Sequence, residues 1–298
     1  MRLKFWGTRG SISTPGKETV RYGGNTPCVE LRLSSTELII LDAGTGIRNL
    51  GETLIEGGES IKAFILISHP HWDHTQGFPF FKPAFISGNE ITIVGGETGK
   101  VSLQKMISDQ MNKIYFPIQL NELKATLKFK KVEEETFNVF DAKVQTIFVN
   151  HPSFAIGYRI TQGGKSVVYI SDNEPYDRRV AESIQNVEKT IMEKYHVASG
   201  DPNQRIFDFV RDADVLIHDA TYTPEEYVNR VGWGHSHYLF TLKVAAEGNV
   251  KHLVLFHHDP AHNDDKVDDI LKKCQKEIRN RHYEFQCSAA IEGTEIDV

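Results

Sequence analysis

A chain of 298 residues, 40% hydrophobic and 25% charged, has ordinary globular composition and is long enough to bury a large core without disulfide staples. Its formal net charge of −6 argues against a broadly basic surface for long nucleic acid, although bound metal ions could still present positive charge to a small phosphorylated substrate. No apolar run approaches the ~20 residues of a membrane span, Met1 to Gly10 lacks the apolar core of a signal peptide, and Cys28, Cys274 and Cys287 have no metal-type spacing, so a soluble chain in a reducing cytoplasm is expected.

In chain order, Leu3 to Gly7, Cys28 to Leu33 and Glu37 to Leu41 read as strands separated by Gly-, Pro- and Ser-rich loops. Gly46 to Ile55 has helical spacing, with Ile47, Leu50, Leu54 and Ile55 on one face. Ala63 to Ile67 is a continuous apolar run, as in a strand buried on both faces. Thr92 to Val94 reads as a strand, and Lys100 to Met111 as a helix with Val101, Met106 and Ile107 inward. Leu123 to Phe148 reads as short β segments. Ala155 to Ile160 and Ser166 to Ile170 form a hairpin around Thr161-Gln162-Gly163-Gly164.

A more helical third follows, with helices expected over 177–196 and Gln204 to Val210, a strand at Asp214 to Ile217 and a helix at Tyr238 to Glu247. Leu253 to Phe256 is a strand, Lys266 to Ile278 an amphipathic helix, and Tyr283 to Ile291 has strand character. The order is β-rich then α/β, twice over, which suits two packed sheets with helices outside in a single α/β (α+β) domain over 1–298, carrying a helical insertion at about 177–212.

The run Ser68-His69-Pro70-His71-Trp72-Asp73-His74 follows the buried strand directly. Imidazole nitrogens and carboxylate oxygens are ligands that Zn²⁺, Mn²⁺ and Fe²⁺ all accept. Neighbouring side chains on a regular strand point to opposite faces, so a loop is expected, turning His69 and His71 to one ion and Asp73 and His74 to another. His151, Asp172 and His257 each lie just past another apolar run, where core strands deliver residues to a shared rim.

This pattern resembles the metallo-β-lactamase fold superfamily of metal hydrolases, and the resemblance covers nearly the whole chain. It implies a four-layer αββα sandwich. By position, it implies that His69, His71 and His151 hold one ion, that Asp73, His74 and His257 hold a second, and that Asp172 bridges them. His258 is the rival to His257. Asp42, in Leu41-Asp42-Ala43-Gly44, resembles the turn that supports the metal loop in this superfamily, and residues of that kind tune metal affinity. Two divalent ions, zinc with manganese or iron as alternatives, would lower the pKa of a shared water, which needs no Ser or Cys nucleophile.

His218-Asp219-Ala220-Thr221 and Gly234-His235-Ser236 resemble the phosphodiesterase branch, which includes cyclic phosphodiesterases and tRNA 3′-processing endonucleases. The resemblance makes Asp219 and His235, with Asp73, the catalytic residues. A carboxylate-held imidazole suits a general acid near neutral pH. His218 points the other way along the strand and reads as structural. Arg9, between glycines in Phe5-Trp6-Gly7-Thr8-Arg9-Gly10-Ser11, reads either as a solvated turn or as an anion contact, and Ser236 as an N-cap for the helix from Tyr238.

The chain departs from the family pattern at Asn173-Glu174-Pro175, where a Thr commonly follows the Asp. Tyr195-His196 reads as a helix end. The expected substrate is a small or cyclic phosphodiester, nucleotide-like, with no long nucleic acid and no membrane, and a homodimer is allowed. A thioester or lactone hydrolase and a non-catalytic metal-binding module are the alternatives.

Overall fold

A computed structural model describes residues 1–298 except 35, 98, 100, 177–200 and 202. The sequence expectations for 177–196, including Tyr195-His196 and most of the insertion at 177–212, therefore lie outside the described residues.

Two seven-stranded sheets face each other. The first has the order β14-β1-β2-β3-β4-β5-β6 and the second β13-β12-β11-β10-β9-β8-β7. The first comprises β1 (Arg2–Gly7), β2 (Cys28–Arg32), β3 (Glu37–Leu41), β4 (Lys62–Leu66), β5 (Glu90–Gly95), β6 (Thr126–Lys131) and β14 (Glu295–Asp297). The second comprises β7 (Thr136–Val139), β8 (Ala142–Phe148), β9 (Ile156–Gln162), β10 (Lys165–Ile170), β11 (Val215–Asp219), β12 (His252–Phe256) and β13 (Gln286–Ala289). In each sheet an antiparallel part gives way to a parallel one: β3 to β6 in the first, β10 to β13 in the second.

Two-residue periodicity sorts the strand side chains into layers. Ile39 and Leu41 of β3 meet Val254 and Phe256 of β12 between the sheets, while Leu38 and Ile40 face outward. That outer face of the first sheet is covered by the helices Gly46–Glu56 and Leu103–Gln110 through Ile47, Leu50, Leu103 and Ile107. The second sheet is covered by Gln204–Phe209, Tyr238–Glu247 and Asp264–Arg281. The result is the four-layer αββα sandwich that the family resemblance implies.

Several element expectations need correction. The helix expected from Lys100 begins at Leu103, because Ser102 caps it by accepting the Lys105 N–H at 3.2 Å, and Val101 ahead of the cap is partly exposed instead of inward. The strand expected from Tyr283 begins only at Gln286. The helix before it runs on to Arg281 and ends in a left-handed His282, with the Tyr283 N–H on the Ile278 carbonyl. Ser236 is not the N-cap of Tyr238–Glu247; His237 is, through Nδ1 and the Phe240 N–H.

The parallel strands run the same way and end on one rim. β8 is antiparallel to β9 and β9 to β10, so β8 also ends there. That rim receives Asp42, His69, His151, Asp172 and His257, each just beyond a strand, and Asp219, the last residue of β11.

Candidate metal centre and active site

The expected loop covers Ser68 to His71, and the rest of the run is helical. His71 is the N-cap of a one-turn helix, Trp72–Thr75, which presents the buried Asp73 and His74 and leaves Trp72 77% exposed. His69 Nε2 lies 3.0 Å from His71 Nδ1, and His151 Nε2 lies 3.3 Å from the same atom. His74 Nε2 is 3.1 Å and His257 Nε2 is 3.3 Å from Oδ2 of Asp73. Asp172 stands between the two groups: Oδ2 is 3.6 Å from His69 Nε2, while Oδ1 is 3.4 Å from His74 Nε2 and 3.3 Å from His257 Nε2.

All seven candidate ligands therefore converge. His257 is in the cluster and His258 is not. The His258 ring turns away, with Nε2 donating to the Ala290 carbonyl at 3.0 Å.

Which nitrogen each ring offers is set by what the other nitrogen touches. Gly234 O accepts the His151 Nδ1–H at 3.0 Å, and Asp42 accepts the His74 Nδ1–H at 2.7 Å. Ser68 Oγ donates to Asp42 at 2.8 Å and accepts from His69 Nδ1 at 3.0 Å. Thr221 Oγ1 donates to Asp219 Oδ1 at 2.6 Å and can accept the His257 Nδ1–H at 3.1 Å. In all four histidines Nε2 is left facing the cluster.

These contacts fit divalent cations. His74 Nε2 is buried, and although it faces the Asp73 and Asp172 carboxylates it makes no hydrogen bond of good geometry. The buried carboxylates of Asp73 and Asp172 have only histidines as ion-pair partners among the described residues. Burial lowers the pKa of His69 and His71, and pushes that of His151 down to about 4, which keeps them in the neutral, ligating form. At His74 burial acts the same way, but Asp73, Asp172 and Asp42 outweigh it and raise the pKa, so a proton would compete with a bound cation for that nitrogen.

The surrounding backbone is shaped to this purpose. Asp42 (φ 60°) and His257 (φ 59°) both occupy the left-handed region, which costs a non-glycine residue about 1–3 kcal/mol. A Cβ on Gly10 would stand 2.3 Å from the His257 ring, so only glycine lets that segment approach. The next residue, Ser11, donates its N–H to Asp73 Oδ2 at 2.7 Å.

His235 closes one side. Its Nδ1 is 3.2 Å from Asp219 Oδ2 and 3.6 Å from Asp172 Oδ2, and its ring stacks on His257 at 4.8 Å. Burial would lower its pKa, but Asp172 and then Asp219 outweigh that and push it up to about 9. A cation on Asp172 would withdraw part of this support and leave Asp219 as the principal partner. Asp219 is itself held by the Thr221 N–H at 2.9 Å and the Ser236 N–H at 3.0 Å. His218 is buried on the other side, with Nδ1 on the Asp219 carbonyl. An open cleft of about 440 Å³ above the cluster is lined by Ser11, Pro70, His71, Trp72, Asp73, Asp172 and His235.

Arg9 neither projects into solvent nor faces this cleft. It is 0% exposed, its guanidinium donating to the Gly23 carbonyl at 2.8 Å and the His262 carbonyl at 2.5 Å, with Asp264 at 3.4 Å. Residue spacing gives no sign of Tyr169, whose hydroxyl donates to Asp42 at 2.7 Å, or of Thr221. Glu174 leaves one trace in the sequence, the unusual Asn173-Glu174-Pro175.

Residues 38–199 match the beta-lactamase superfamily domain. Ribonuclease Z of Thermoplasma acidophilum is 23% identical, covering 95% of this chain and 93% of its own. Ribonuclease Z of Clostridium perfringens is 27% identical, covering 87% of this chain and 93% of its own. Human tRNase Z, short form, has the same fold, with a TM-score of 0.64 at 19% identity over 100% of this chain and 99% of that one. The metallo-beta-lactamase fold protein YhfI of Bacillus subtilis gives a TM-score of 0.67 at 16% identity over 99% of both chains.

Proposed function

Because this chain belongs to the beta-lactamase superfamily, we propose that it is a dinuclear phosphodiesterase acting on a small or cyclic, nucleotide-like phosphodiester. The chain is a metal-dependent hydrolase of phosphodiesters, the class of its ribonuclease Z relatives. The observation that carries the two-ion reading is Asp172, with one carboxylate oxygen toward His69 and the other toward His74 and His257. In this reading His69, His71 and His151 hold one ion, Asp73, His74 and His257 the other, and Asp172 both; zinc fits the ligands, as do manganese and iron. When bound, the ions supply Lewis acidity toward phosphoryl oxygens and activation of water.

The chain's own residues do the rest. Asp73 shapes the cleft from one side and is itself oriented by the Ser11 N–H. Asp219 holds Nδ1 of His235, so that Nε2 is the atom that gives a proton to the leaving oxygen. A small substrate is supported by the net charge of −6, by the modest size of the cleft and by the withdrawal of Arg9 into the core. The free cysteines, Cys28 and Cys274 buried and Cys287 half-buried, suit the reducing cytoplasm proposed as its location. No described helix is long and apolar enough to cross a membrane.

Turnover of bis(p-nitrophenyl) phosphate and a panel of cyclic nucleotides by zinc- and manganese-loaded protein is the test. Turnover that survives both chelation and His71→Ala would overturn the metal mechanism. Thioester or lactone hydrolysis that is indifferent to His235→Ala would move the substrate to the other ester classes.

A second reading, favoured by the ribonuclease Z relatives, is cleavage of RNA. A precursor tRNA with a 3′ extension belongs in the same panel, and its preferred cleavage would replace the small substrate. Light scattering on the same preparation reports whether the chain forms a homodimer.

A further inference from the structure

Glu174 is 1% exposed and lies two residues beyond Asp172, yet its carboxylate is engaged by a different segment. Oε1 accepts the Tyr227 hydroxyl at 2.9 Å and the Gly232 N–H at 2.7 Å, and Oε2 accepts the Gly234 N–H at 2.8 Å. Its backbone ties a third segment into the same knot. The Glu174 N–H donates to the Asn150 carbonyl at 2.7 Å, and Asn150 Nδ2 donates back to the Glu174 carbonyl at 3.0 Å. Asn150 immediately precedes His151.

Gly234 is thus held from both ends. Its N–H is on Glu174, and its carbonyl accepts the His151 Nδ1–H at 3.0 Å. Its φ of +87°, and the 2.1 Å at which a Cβ would meet His151 Nδ1, leave no room for another residue type. The next residue is His235, and Ser236 Oγ donates to the Asn173 carbonyl at 2.5 Å, so the segments after Asp172 and around His235 are stitched together at two points.

We infer that Glu174 is a positioning residue: through Gly234 it fixes the His151 ring with Nε2 toward His69 and His71, and sets His235 against Asp219. The inference rests on the two-ion reading of the site. A carboxylate suits the task because it can accept on both oxygens at once. A glutamine of the same shape cannot. Whichever way its amide turns, an NH₂ faces either the Gly234 N–H or the Tyr227 and Gly232 donors. The strand-end context delivers His151 to the rim, but the orientation of its ring depends on this clamp.

The experiment is Glu174→Gln, with zinc binding measured by competition against a chromophoric chelator and the visible spectrum recorded after loading with cobalt(II). Apo-protein melting close to the wild type is expected. One zinc equivalent should weaken ~10–100-fold, the range for loss of a group that orients a metal-bound histidine, and the cobalt spectrum should change. kcat for bis(p-nitrophenyl) phosphate should fall with KM little altered. Wild-type affinity for both equivalents together with a wild-type cobalt spectrum would overturn the inference.

If Glu174→Gln does not fold, Tyr227→Phe decides the matter, because it removes one donor to Oε1 and keeps the carboxylate. A smaller weakening of one zinc equivalent is expected, and wild-type binding would overturn the inference. Failure of the phosphodiesterase reading looks different: wild-type protein that binds both equivalents but hydrolyses no diester.

Discussion

The Asp42 carboxylate accepts the Nδ1–H of His74 at 2.7 Å, with both side chains fully buried. The Ser68 N–H at 2.7 Å, the Ser68 hydroxyl at 2.8 Å and the Tyr169 hydroxyl at 2.7 Å complete the shell around that carboxylate. Asp42 comes from the end of β3, Ser68 from the end of β4 and Tyr169 from β10 of the facing sheet. A single carboxylate therefore links both sheets beneath the candidate metal ligands and fixes which nitrogen of His74 is presented to them. The left-handed backbone at Asp42 is tolerated because these contacts leave it no alternative.

Asp42→Asn should lower metal affinity ~10–100-fold while leaving the fold intact. The amide cannot accept from all the donors that now surround the carboxylate. Titration of apo protein with zinc in the presence of a competing chelator measures this, and an unchanged affinity would remove Asp42 from the machinery of the site.

His235→Ala should reduce kcat for phosphodiesters by about 10²–10⁴-fold, the range for a positioned general acid. Zinc content after dialysis should stay at the wild-type level. If metal is lost in parallel with activity, His235 acts in holding the cluster and not in proton transfer. Asp219→Asn should produce a smaller loss in the same direction, since it weakens the orientation of the ring without removing it.

Arg9 makes a prediction about stability. Removing one partner of a buried ion pair leaves the other uncompensated, at a cost of about 3–5 kcal/mol. Arg9→Met should move the urea midpoint downward by less than that full range, because the carbonyls of Gly23 and His262 lose their donor, while Asp264 keeps the N–H groups of Arg21 and Tyr22 and the Arg21 guanidinium at 3.7 Å. KM for a diester should stay constant in the fraction that remains folded. A selective rise in KM at wild-type stability would return Arg9 to substrate binding.

Glu226 ties acid stability to the helix start at Pro224. Burial opposes its ionisation, but the Thr223 N–H together with His262 and Lys266 outweighs this and holds its carboxyl down at about 2. A carboxyl depressed in the folded state stabilises above its unfolded pKa of about 4.5, and the contribution fades as pH falls from there toward 2. In urea titrations the wild type should exceed Glu226→Gln by less than about 1 kcal/mol at pH 6, since the pair is partly solvated. The gap should narrow by pH 4. A gap that widens on acidification would reverse the assignment.

Much of this arrangement is legible in the chain because its strands are apolar runs. Ala63 to Ile67, Leu253 to Phe256 and their like are recognisable without knowing what packs on them, and a ligand-type residue beyond each run is visible too. Local spacing fails where a contact comes from far away. Arg9 between glycines reads as a solvated turn until Asp264, 255 positions further on, is seen beside it. Ser236 reads as an N-cap until its hydroxyl is found on Asn173, 63 positions back, with the cap passed to His237.

His69 to His74 therefore has two levels of determination. The sequence by itself decides that imidazoles and a carboxylate of metal-binding type follow a buried strand, since residue types and apolar periodicity are local properties. Tertiary structure alone decides that His71 caps a one-turn helix, that His257 rather than His258 joins Asp73, and that Nε2 is the nitrogen offered by His69, His74, His151 and His257. Each of those outcomes depends on a hydrogen-bond partner delivered by another strand or loop, and side-chain orientation in a buried polar cluster is set by such partners.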